Sequence, residues 1–144
     1  MEVHNLDDKK IKHLEFIQSN ISRMNQCSFQ MKGWMIAIVS ALLALYASSI
    51  NSETGKGTNM FLFVAIIPTI IFWSLDSYYL QQERKFRGIY NDLLDSKKEI
   101  LEFSMPLNKY KGGKYNWFLI LWSKTEFLLY LPVIIGLILA GFLL

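Results

Sequence analysis

Asp76 and Glu83 are the residues whose type and spacing come nearest to chemistry: two carboxylates seven residues apart, two turns along one helix face. Asp76 lies sixteen residues beyond Met60, about 24 Å along a helix rising 1.5 Å per residue, and residues 60–75 contain no charge. That distance sets it at the edge of a bilayer core. An ionisable group at such a boundary has two uses. It pairs with a cation, for which Arg84 and Lys124 are the candidates, or it forms part of a charged ring at a pore mouth. Glu83 carries the same choice, because Arg87 stands four residues on and suits an i,i+4 ion pair.

Other chemistry finds little support. His4 and His13 are nine residues apart, which puts them on no common helix face, and no HExxH, CxxC, phosphate-loop or glycine-rich dinucleotide pattern occurs. No catalytic, cofactor-binding or metal-ligating residue is assigned, and a non-enzyme is expected. KGGK at 111–114 is a basic glycine turn able to touch a phosphate, but loops joining helices beside a membrane commonly have this composition. Sequence-specific nucleic-acid binding is not expected. Cys27 is the only cysteine, so no intrachain disulfide forms.

The elements that hold the carboxylates follow from where apolar residues cluster. Hydrophobic residues make up 52% of the chain and aromatic ones 15%, above the usual level for a soluble domain. The excess falls in residues 33–50, 60–75 and 127–144, which contain no charged side chain. Each has nearly the length a bilayer helix needs and is apolar around its whole circumference. The expected fold class is an all-α membrane protein: three transmembrane helices extended into a cytoplasmic helical stalk or bundle. A cleaved signal peptide is not expected, because residues 1–30 are polar and charged.

Charge then divides the chain. Residues 1–30 read as a cytoplasmic N-terminal helix, starting near Leu6 after an Asn5 or Asp7 cap, whose stripe Ile11, Leu14, Ile17, Ile21, Met24, Ser28 and Met31 continues into transmembrane helix 1 at 31–50. An external turn follows at 51–59, then transmembrane helix 2 at 60–79. Residues 80–104 continue it as an amphipathic cytoplasmic helix that stops near Phe103, ahead of Pro106. A turn at 105–116 leads to an interfacial helix and transmembrane helix 3 at 117–144, anchored by Trp117 and Trp122. Lysine and arginine crowd residues 1–32 and 76–126, while residues 51–59 carry only Lys56. The positive-inside rule therefore predicts a cytoplasmic N-terminus and an external C-terminus.

Two further surfaces stand out. Gly33, Ala37, Ser40, Ala41, Ala44 and Ser48 share one face of the first span, and small residues at this spacing let helices approach closely in lipid. Packing inside the chain is the default expectation for that face. Asn20, Arg23, Asn25 and Gln26 form a polar group directly beside the membrane, with Lys9, Lys10 and Lys12 further along the arm. They face water or meet a partner, an anionic nucleotide or an acidic protein surface being the expected kind.

The runs ISRMNQCSFQMKGWMIAIVSALLAL and FWSLDSYYLQQERKFRGIYNDL resemble small bacterial membrane effectors of anti-phage nucleotide-signalling systems, of the SLATT-like and Hailong types. The resemblance covers residues 21–95 and is one of helix pattern and aromatic-charged interfaces. It implies a homo-oligomeric pore or channel, closed until a nucleotidyltransferase partner or its nucleotide signal acts on the cytoplasmic helices, then dissipating the membrane potential. On it, Asp76, Tyr79 and Glu83 become a pore mouth or gate, and Asn20, Arg23, Asn25 and Gln26 a coupling surface. The alternatives are a holin-like lesion former, which has little use for long cytoplasmic helices, and a non-conducting membrane anchor for a partner enzyme.

Overall fold

The computed structural model describes residues 2–95 and 103–143, with side chains from Asp8 onward. Four helices carry the chain: α1 (Glu2–Ser48), α2 (Met60–Leu94), α3 (Trp117–Leu121) and α4 (Lys124–Leu143). No strand occurs among the described residues, and α1, α2 and α4 are long and apolar enough to cross a membrane.

Nothing in residues 2–32 breaks a helix, and α1 runs for 47 residues, about 70 Å at 1.5 Å per residue. It is already helical at Glu2, so Asn5 and Asp7 lie within it and do not cap it. α2 runs back along it. Near the far end, Tyr46 of α1 shares a core with Leu62 and Ala65 of α2; near the arm, Ile17 and Ile21 meet Phe86, Ile89 and Leu93. α4 returns beside the first half of α2, where Tyr130 and Leu137 complete the first core, and the Asn59 side-chain amide donates to the Gly141 carbonyl at 2.9 Å. Met35, Val39 and Tyr46 are the buried residues of the first span's inner face.

Large side chains, not small ones, therefore make the intrachain contact of α1. Gly33, Ala37, Ser40, Ala41, Ala44 and Ser48 are all exposed, and a Cβ built on Gly33 would meet nothing within 4 Å. The expectation that the small face packs within the chain is thus corrected: α1 has one inner face, and the interdigitating Met, Val and Tyr residues occupy it.

The amphipathic continuation of α2 ends at Leu94, short of the expected Phe103. Asp95 adopts an extended conformation (φ −78°, ψ 105°) and its amide closes the last turn on the Asn91 carbonyl. Phe103 is itself in the left-handed region at φ 56°, which no helix residue adopts. The predicted stripe residue Leu101 lies outside the described residues. Beyond Phe103 the chain folds back against α2 in two 3-10 turns, 107–109 and 113–115. Gly88 admits this segment: a Cβ there would stand 2.7 Å from the Tyr110 ring and from the Tyr115 hydroxyl.

The predicted third helix is two helices. α3 stops at Leu121 because the Trp73 indole takes the Leu121 carbonyl at 3.1 Å, while the Ser123 amide closes back on Ile120. α4 then starts at Lys124, with the Ser123 carbonyl accepting from the Phe127 amide at 2.9 Å.

Candidate functional site

Between the two apolar cores lies one polar layer. It is made by the three charged residues that border the charge-free runs on the arm side: Lys32 just before 33–50, Asp76 just after 60–75, and Glu126 just before 127–144. Helix geometry brings them together, because α1 and α2 are antiparallel and α4 enters at the level where α2 leaves. Asp76 is completely buried, Glu126 is 1% exposed, and the Lys32 side chain keeps a quarter of its surface.

The Asp76 carboxylate accepts from three residues on the two neighbouring helices. Its Oδ1 accepts from the Ser28 hydroxyl at 2.5 Å; its Oδ2 accepts from the Lys32 ammonium and from the Tyr130 hydroxyl, the latter at 2.9 Å. Lys32 also donates to Glu126 Oε1 at 3.1 Å and to Ser28 Oγ at 3.2 Å. Its ammonium thus joins all three long helices. Tyr130 is held by stacking on Trp73, the ring centroids 5.9 Å apart and 10° from parallel. Glu126 Oε2 is buried without a hydrogen-bond partner. Two carboxylates face one ammonium, so the layer has a formal excess of negative charge in a place where water access is restricted to the Lys32 side.

Arrangements of this kind hold helices in register. A buried charge that loses its partner costs several kcal/mol, so α1 cannot slide or rotate past α2 and α4 without finding other partners for these groups. Among the described residues no three His, Cys, Asp or Glu side chains cluster to hold a metal ion.

Known protein families, curated proteins and solved structures offer no match to the chain.

The predicted site residues separate accordingly. Asp76 is paired, but with Lys32 in place of the expected Arg84 or Lys124: Arg84 donates to the Lys114 carbonyl at 3.3 Å and Lys124 is exposed. Glu83 is 6% exposed and takes the Arg87 guanidinium at i,i+4, as one of its two readings required. Tyr79 is half-buried and meets Tyr78 edge-on, with centroids 5.7 Å apart. Asn20 is buried; it donates to the Phe16 carbonyl at 2.9 Å and accepts from Arg23 at 2.7 Å. Arg23, Asn25 and Gln26 are exposed, and Arg23 and Gln26 border a groove of about 720 Å³ that also takes in Glu15, Ser22 and Tyr90.

Ser28, Lys32, Glu126 and Tyr130 are the members that sequence reasoning missed. Their signal lay in the boundaries of the charge-free runs: the first charge met at the same side of each span is a candidate for one shared layer.

Proposed function

We propose that this chain is the membrane-embedded effector of a bacterial anti-phage defence system: a homo-oligomeric channel, closed at rest, opened through its cytoplasmic helices. In this reading the arm of α1 is cytoplasmic and the loop between α1 and α2 external, as the lysine and arginine distribution favours. Single cysteines at Ser52 and Lys109, in a Cys27→Ser background, check this: impermeant thiol reagent applied outside labels the first and spares the second.

One observation carries the proposal. The helix that forms the arm also forms the first span, and at the boundary between those two parts Lys32 ties it to Asp76 and Glu126 on the other two spans. A force on the arm is therefore delivered to a charge layer shared by every span. The layer acts as a closed-state latch, and release of Lys32 lets the spans rearrange. The exposed small face of α1 offers the close helix contact through which copies assemble. The trigger on this reading is an anionic nucleotide or the nucleotidyltransferase that makes it, received near Arg23 and Gln26.

The non-conducting anchor keeps one point in its favour: Asp76 and Glu126 are buried inside a single copy and line no open surface of it. Planar-bilayer recordings separate the two. A channel carries current when activated, and Asp76→Asn, which weakens the latch, raises its resting open probability. A wild-type protein that passes no current under any activating condition, phage infection of cells included, leaves the anchor.

A further inference from the structure

We propose that residues 109–124 form a lipid-binding collar, which inserts α3 into the membrane surface on the arm side and holds the headgroups of anionic phospholipids with Lys111, Lys114 and Lys124.

The depth of the collar is fixed by its contacts with α2. The Trp117 indole donates to the Ser74 carbonyl at 3.3 Å, and the Trp73 indole donates to that of Leu121 at 3.1 Å. α3 therefore lies level with residues 73–74, just inside the last charge-free turn of the second span. At that depth it exposes Phe118, Leu119 and Trp122, each 60% or more open. Their neighbour Ile120 is fully buried, so the short helix has its inner face on the protein and a large apolar face turned outward. Apolar side chains with this placement at an interface belong in the boundary between headgroups and acyl chains.

The lysines stand further out. The Gln81 amide donates to the Tyr115 carbonyl at 2.8 Å, and Arg84 to that of Lys114. Gln81 and Arg84 lie about 8 and 12 Å beyond Asp76 along α2, and the polar layer of a leaflet is about 5–8 Å deep. A lysine side chain at that height reaches back to the phosphates. Lys109, Lys111, Lys114 and Lys124 are all exposed. Residues 103–125 contain these four lysines and no acidic residue, so this segment alone exceeds the formal net charge of +3 for the whole chain. Gly112, at φ 74° with open space around it, lets the loop carrying Lys111 and Lys114 turn without a side chain in the way. A field of one sign beside an inserted apolar face is complementary to an anionic membrane surface, which attracts basic residues held close to it.

The test uses the full chain, purified in detergent from membranes containing phosphatidylcholine and phosphatidylglycerol and analysed by native mass spectrometry. Wild type retains phosphatidylglycerol in preference to phosphatidylcholine. The triple variant Lys111→Gln/Lys114→Gln/Lys124→Gln, all at exposed positions, loses that preference severalfold, and the matching triple arginine variant keeps it. Arm variants Lys9→Gln/Lys10→Gln/Lys12→Gln, which alter the same net charge elsewhere, leave it unchanged. A nitroxide at Leu119→Cys is more accessible to oxygen than to a water-soluble nickel complex. Equal retention of the two lipids, an equal loss in the arm variant, or a water-exposed Leu119 overturns the collar. So does displacement of the lipid by millimolar inorganic phosphate, which would assign the lysines to a soluble phosphate ester.

Discussion

Among the described residues Lys32 is the one cation paired with the two buried carboxylates, and this imbalance ranks the substitutions at the charge layer. Lys32→Met leaves Asp76 and Glu126 buried with no cation, a loss of about 3–5 kcal/mol for breaking a buried pair, moderated by the partial exposure of the lysine. Asp76→Asn removes charge-assisted hydrogen bonds from Ser28, Lys32 and Tyr130 but leaves Lys32 and Glu126 matched one to one. Its expected cost is about 1–3 kcal/mol. Thermal unfolding in lipid nanodiscs should place Lys32→Met well below Asp76→Asn, and the reverse order would mean that Lys32 is not the central partner. A second residue gives a pH signature. Tyr110 is buried and donates to the Asp92 carboxylate at 2.8 Å, and burial together with that carboxylate pushes its phenol well above its ordinary value. A proton held more tightly in the folded state stabilises it fully below the unfolded tyrosine value of about 10, and that stability is lost as pH rises beyond it. Ultraviolet difference titration should show Tyr110 among the buried tyrosines that resist ionisation until the fold gives way, and Tyr110→Phe should shrink that late transition by one tyrosine equivalent.

At the scale of the helix, α1 presents two faces with different duties. Its inner face is filled by Met35, Val39 and Tyr46, so Ala41→Leu or Ala44→Leu, both exposed, should leave the monomer folded. If the small face joins copies, the added bulk separates their backbones at a cost of about 1–3 kcal/mol. Crosslinking in membranes then falls while expression holds, and undiminished crosslinking would remove this face from any assembly. The three long helices were legible in the sequence because charge-free runs and the arm's three-and-four stripe are strong, local signals. Which face of α1 turns inward was not, since in lipid both small and large residues make good contacts and only the partner decides. The end of α2 at Leu94 and the break after Leu121 were missed for a related reason. The break after Leu121 involves Trp73, distant in sequence, and beside the end of α2 Leu93 packs with the returning Tyr110. The pairing of Asp76 was foreseen as a class but not with Lys32, because forty-four residues separate the two and only the antiparallel register brings them together.

On the proposed function the whole molecule works as a lever whose fulcrum is the charge layer. About two thirds of α1 lies beyond Lys32, on the side away from its span, and its inner residues Ile17 and Ile21 pack on the continuation of α2. Rotation or withdrawal of the arm therefore acts on α2 at two points, the distal core and the latch. Deleting residues 1–19 tests this arrangement. It removes Ile17 and the lysines at 9, 10 and 12, yet retains Asn20, Ser28, Lys32 and the complete first span. The truncated chain should insert normally and keep its latch, as judged by cysteine labelling and by unchanged destabilisation on Lys32→Met. With the distal core opened, however, it should no longer answer its trigger: cells expressing it become either constitutively depolarised or permanently silent, read with a membrane-potential dye before and after phage infection. The two outcomes have different physical meanings. Constant depolarisation says that the intact arm restrains the spans, whereas silence says that the arm drives them. A truncated protein that matches wild type in resting potential and in the response to infection would deny the arm any part in control, and would move the receiving surface to the segment around Arg84 and Lys114.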